Sequence, residues 1–151
     1  MVDWKNFLVA VDEMESSLRA VQYVGEIVKF LDGASICLLH VYPEPPPDFY
    51  QNGGKLQEYQ AHRIQKAEKI FSKGLDILIE KGVSRDIVYF TTHMVEGKTI
   101  SQTLLSVREK GHFGTVVTGK RGVSKSEEFL FGSISNALAR NSNDFTTWVV
   151  G

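Results

Sequence analysis

The sequence holds one cysteine, Cys37, so no disulfide can form within the chain, and a reducing, cytoplasmic setting is expected. Its apolar neighbours point to a packing role for that thiol. Long apolar runs are missing as well. Stretches such as Phe7–Val11 and Ile36–Leu39 fall far short of the roughly 20 residues a membrane helix needs. Asp3 and Asp12 break any leader-like segment at the start. Neither sign of charge dominates: the net charge is −1, which excludes a nucleic-acid binder working by bulk attraction. Neither nucleic acid nor a membrane is an expected partner. Proline is confined to one stretch, Pro43 to Pro47, which reads as an exposed surface loop or as a flap beside a ligand. His40, His62, His93 and His112 are scattered without metal-ligand spacing.

What is present is the composition of a folded domain. With 42% apolar and 23% charged residues over 151 positions, residues 1–151 are expected to form one domain with a real core. The period of the apolar residues then switches repeatedly. Phe7–Val11 is a continuous apolar run, as in a strand covered on both faces. Leu18, Val21, Val24, Val28 and Leu31 follow at helical spacing, with Ser16 or Ser17 as a cap and Asp32-Gly33 as a stop. Ser35–Val41 predicts a second strand, and Leu56 through Leu78 a long second helix ending near Gly82. Ile87–Val95, Thr99–Lys110 and Thr115–Thr118 predict a third strand, third helix and fourth strand, followed by a short helix at Ile134–Arg140 and a last strand at Thr147–Val150. Strict alternation of strand and helix implies right-handed crossovers and an α/β fold with a parallel, doubly wound sheet.

Two features carry chemistry. Gly119-Lys120-Arg121-Gly122 follows the fourth strand, and Gly132-Ser133 precedes the last helix. Glycines without a Cβ let backbone N–H groups approach an anion, and a helix start adds further donors and a favourable dipole. Asp12 ends the first strand, where a carboxylate can bind ribose hydroxyls, a nucleobase amine or a metal, or merely cap the first helix. Other motifs fail. Gly97-Lys98-Thr99 resembles the end of a P-loop, but Thr92 stands where the pattern needs glycine. A receiver domain would need an aspartate after the third strand, where Thr91, Thr92 and His93 offer none. No nucleophile is paired with a base.

The spacing Gly119-x2-Gly122-x9-Gly132-Ser133 resembles the nucleotide-binding pattern of the universal stress protein family, in its ATP-binding branch. Val9-Ala10-Val11-Asp12, His40-Val41, Glu96-Gly97 and Thr118-Gly119 extend the resemblance along the whole chain in the right order. The resemblance implies a five-stranded parallel sheet in order 3-2-1-4-5 with helices on both faces. It also implies ATP as ligand, with Mg or Mn held mainly by phosphate oxygens and water. By position it assigns adenine to Ala10, Val11, Asp12 and Val41, and ribose and phosphates to Thr118, Gly119, Arg121 and Gly122. The phosphates would end at Gly132, Ser133, Ile134 and Ser135. A homodimer through the C-terminal edge strand Thr147–Val150 is implied too. The expected role is stress-response regulation through the nucleotide-bound state, with at most slow hydrolysis. A nucleotide-free dimeric module of the same fold and a slow ATPase are the alternatives.

Overall fold

The structure, a computed structural model, describes residues 2–120 and 134–151. The chain runs β1 (Asp3–Ala10), α1 (Glu15–Val28), β2 (Ser35–Tyr42), α2 (Leu56–Glu80), a short 3-10 turn (Arg85–Ile87), β3 (Val88–Met94), α3 (Ile100–Gly111) and β4 (Phe113–Gly119), ending in β5 (Thr146–Val150). Residues 134–140, here α4, are helical. The five strands form one sheet in the order β3-β2-β1-β4-β5, and every pairing is parallel. This is the expected order, with helices on both faces.

Why these segments take this form is visible in which side chains are buried. Strands covered on both faces split their apolar residues between two cores by alternation. Phe7, Val9, Ile36, Leu38 and Val117 pack under Val21 and Val24 of α1 and Leu78 of α2. Leu8, Cys37, Leu39 and Val116 pack on the opposite face against Leu104 of α3 and Leu138 of α4. Cys37 takes the packing role expected of it, and burial pushes its thiol pKa up to about 12. β3 and β5 are the two edges. β5 is anchored by Trp148, whose ring lies 5.3 Å from Phe7 and 5.8 Å from Tyr23 in edge-on geometry. Among the described residues no helix is long and apolar enough to cross a membrane.

Several boundaries differ from expectation, and two elements differ most. β1 starts at Asp3 rather than Phe7, because Asp3 pairs with Phe113 across a register shift that polar residues tolerate at the sheet's open end. Ser16 and Ser17 do not cap α1. The helix starts at Glu15 after Met14, which makes no side-chain cap, so both serines sit inside its first turn. α1 also ends at Val28, and Leu31 packs onto the core from the turn beyond it. By contrast, α3 has a full capping box, with Thr99 Oγ1 accepting from Gln102 N–H and the Gln102 side chain from Thr99 N–H.

Two glycines test the tightness of this packing. A Cβ on Gly114 would be driven into the Asp3–Trp4 backbone of β1, which cannot yield without breaking the strand pair. A Cβ on Gly74, inside α2, would meet only the Leu38 Cδ1 methyl, at 2.9 Å. Gly114→Ala is therefore expected to cost about 2 kcal/mol or more in urea unfolding. Gly74→Ala should lie within about 1 kcal/mol of wild type, since its helix propensity gain offsets a small side-chain shift.

Candidate functional site

β1 is the strand from which the chain winds outward in both directions, to β2 and β3 on one side and to β4 and β5 on the other. In such sheets the crevice at the carboxyl ends beside this switch point receives ligands. A cavity of ≈ 200 Å³ lies there. Of the expected site residues, Ala10, Val11, Asp12, Val41, Thr118 and Ile134 line it. Arg121, Gly122, Gly132 and Ser133 lie outside the described residues.

Gly119 and Ser135 do not line the cavity. Gly119 also has a packing role: a Cβ there would stand 2.6 Å from the Ser16 carbonyl oxygen, so the glycine lets α1 approach β4. Ser135 Oγ is buried without a hydrogen-bond partner among the described residues. The proline stretch also stays out of the lining. Tyr59 O–H donates to Pro43 O at 2.5 Å and Gly97 N–H donates to the Glu44 carboxylate, which ties the loop to α2 and to the turn before α3.

The backbone decides which of the lining residues can read a ligand. Val11 N–H donates to Leu39 O at 2.8 Å, and Val11 O meets His40 Nδ1 at 2.8 Å. Both main-chain groups of Val11 are thus committed, and only its side chain remains for a ligand. Asp12 is engaged similarly. Its N–H donates to Ser17 Oγ at 2.9 Å, and its Oδ1 accepts from Met14 N–H at 2.8 Å, closing the turn into α1. Asp12 therefore does not cap α1, whose N-cap is Met14; its carboxylate closes the turn that leads into the helix.

Val41 is different. In a parallel ladder both main-chain groups of a residue point to one neighbouring strand, and those of the next residue to the other. Leu39 O accepts from Val11 on the β1 side, and Tyr42 O accepts from Val95 N–H on the β3 side. Val41 therefore shares the side of Leu39, where β1 has already turned into α1. Its N–H and C=O face the vacated space, and the residue lines the cavity. A donor and an acceptor side by side on a rigid strand match the edge of a nucleobase.

Reading the sequence missed the wall supplied by α2 and β2. Arg63, Lys66 and Ile70 close one side of the cavity, and His40 lies between them and β1. His40 entered the sequence reading as one of four scattered histidines and as the residue beside Val41 in the family resemblance, without a role in the site. Its place after a run of buried β2 residues, beside Val41, was the available signal. The Arg63 guanidinium sits 5.4 Å over the Tyr42 ring, and its Nε is buried without a partner among the described residues. Burial depresses the His40 pKa below its usual 6.5, the nearby Arg63 charge adds to this, and the Val11 hydrogen bond opposes it. Ile100 and Leu104 of α3 supply an apolar floor on the other face. Among the described residues no group of three or more His, Cys, Asp or Glu side chains is placed to hold a metal ion.

The universal stress protein family model matches residues 3–146. The chain belongs to the universal stress protein family. Over 146 residues it is 25% identical to the universal stress protein YxiE of Bacillus subtilis, covering 92% of this chain and 94% of that one. Among solved structures it is similar to the universal stress protein UspA of Lactobacillus plantarum, with a TM-score of 0.72 at 13% identity over 100% of both chains. The Archaeoglobus fulgidus universal stress protein in complex with dAMP gives a TM-score of 0.63 at 18% identity, again over 100% of both chains. Two further similar family structures were solved with cAMP and with AMP, the second from Arabidopsis thaliana.

A neutral, buried His40 has a thermodynamic consequence. As pH falls through the usual 6.5, the unfolded chain takes up this proton before the folded one does. The stability His40 contributes is therefore present above that pH and is lost as pH falls towards the lowered folded value. In urea titrations the stability of wild type relative to His40→Phe should shrink from about pH 7.5 to about pH 5.5, by at most about 1.4 kcal/mol per pH unit.

Proposed function

We propose that this chain binds an adenine nucleotide at the carboxyl ends of β1 and β4 and acts through its bound state in stress-response regulation, not through rapid turnover. The single observation that carries the reading is the Val41 main-chain pair turned towards a cavity that β1 has vacated. The cavity is smaller than the roughly 300–1,000 Å³ typical of drug-sized ligands, so it suits a base and part of a ribose. Phosphates would then lie beyond it, towards Thr118 and α4, where the glycine pattern of residues 119–133 follows in sequence. The family complexes with dAMP, cAMP and AMP support an adenine nucleotide. We take ATP as the ligand on the strength of the glycine pattern, with Mg or Mn held by phosphate oxygens and water.

The test is thermal unfolding with and without Mg-ATP. A ligand at 100 times its Kd adds about 2.7 kcal/mol, which for a domain of this length raises Tm by about 5–10 °C. Ala10→Leu, which fills the cavity from β1, should keep the fold and lose the shift. No shift at millimolar ATP, ADP or AMP would overturn the reading.

A second part of the proposal is assembly of two copies through β5. Among the described residues this strand pairs only with β4, and Val149 on it is 47% exposed. Lys120 N–H donates to Val150 O, so Val150 faces β4 and Val149, by alternation, turns its N–H to the free edge. Val149→Pro removes that donor without touching the β4 ladder. In sedimentation velocity, wild type should run as a dimer and Val149→Pro as a monomer; identical behaviour of the two would contradict the edge-strand interface.

A further inference from the structure

His40 lines the cavity with its hydrogen bonding already half decided. It is 6% exposed, its Nδ1 lies 2.8 Å from Val11 O, and that carbonyl can only accept. Nδ1 therefore carries a proton. In the neutral ring Nε2 is then a pure acceptor, and it is the one polar atom the side chain has left. The charged groups around it come from two elements. Arg63 and Lys66 project from α2 and disfavour a second proton, while Glu13 on the turn after β1 favours one. Asp12 on the same turn also lines the cavity, and the ring of Tyr42, the last residue of β2, stacks 6.4 Å away.

The Val41 pair alone does not select among purines. Its N–H and C=O can meet N1 and the 6-amino group of adenine. After a small shift of the base they can equally meet the 6-oxo group and N1–H of hypoxanthine or guanine. A fixed third group breaks this tie. We infer that His40 sets the base selectivity of the cavity: its imidazole accepts a hydrogen bond from the exocyclic amine of a 6-aminopurine and opposes the lone pairs of a 6-oxopurine. The inference rests on the nucleotide-binding reading above and adds to it the side chain that discriminates. A buried acceptor facing another acceptor leaves both unsatisfied, and a mismatch of that kind lowers affinity by about tenfold to a hundredfold. His40 acts here as a specificity residue and takes no part in bond making.

The experiment is calorimetric titration of the full chain with ATP, ITP and purine riboside triphosphate, whose bases differ in the 6-substituent and, for ITP, in the proton at N1. Wild type should bind ATP at least about tenfold tighter than ITP, with the unsubstituted purine between them. His40→Phe keeps a flat ring without the acceptor and should bring ATP and ITP to within about threefold. Because that variant also strands the Val11 carbonyl, a second measurement is made on wild type. In 15N NMR of the imidazole, ATP should shift His40 Nε2 in the direction of an accepted hydrogen bond, and ITP should not. Equal affinity of wild type for ATP and ITP, a preference that survives in His40→Phe, or an Nε2 signal indifferent to ATP would each overturn the inference while leaving nucleotide binding intact. Failure of all three nucleotides to bind would overturn the nucleotide reading itself, and this inference with it.

Discussion

Two hydrogen bonds hold the last residue of the β1 run, Val11, against β2, and the rest of the site depends on where they stop the strand. Val11 donates to Leu39 and receives from His40, after which Asp12 and Met14 close a turn into α1. Had β1 continued by two residues in register, it would have paired with Val41 and filled the switch-point crevice with backbone. Because it turns away, a main-chain donor and acceptor are left on a rigid strand facing empty space. The same event fixes the tautomer of His40. The geometry of the strand end and the chemistry of the cavity wall are thus one feature.

The surrounding packing keeps that feature rigid. Phe7, Leu8 and Val9 are completely buried between two helical layers, so β1 cannot slip by one residue without exchanging its two cores. α1 is pressed onto the end of β4 at Gly119, where no side chain could be accommodated. α2 then lies across the mouth, bringing Arg63 and Lys66 to the cavity. Pre-organisation of this kind reduces what a ligand loses in ordering its own site.

How much of this could be read from the residues follows from range. The alternation of strands and helices and the parallel pairing depend on local periodicity, and Phe7, Leu38 and Leu104 sit where that periodicity implies, whereas the strand order came with the family resemblance. Asp12 could be placed at the crevice because the topology brings strand ends together, and Ala10, Val11 and Val41 came with the family resemblance. Local signals failed where tertiary geometry overrides them. Ser16 and Ser17 look like caps, yet Ser17 Oγ serves the Asp12 amide, because the chain leaving β1 turns before the helix starts. Gly119 carries a packing demand that its motif did not signal, since its missing Cβ is needed for α1. The contribution of α2 was invisible, since Arg63 and Lys66 sit 51 and 54 positions beyond Asp12 on a helix whose rotation no local pattern fixes.

The central claim is that the Val41 main chain is the part of the fold that meets the base. Amide hydrogen exchange followed residue by residue with and without saturating Mg-ATP addresses it directly. The account predicts that exchange at Val41 N–H is slowed strongly by nucleotide, while Val11 N–H, already bonded to Leu39, changes only as far as global stability does. Unchanged exchange at Val41 in a chain that demonstrably holds ATP would contradict it, and would place the base elsewhere on the sheet.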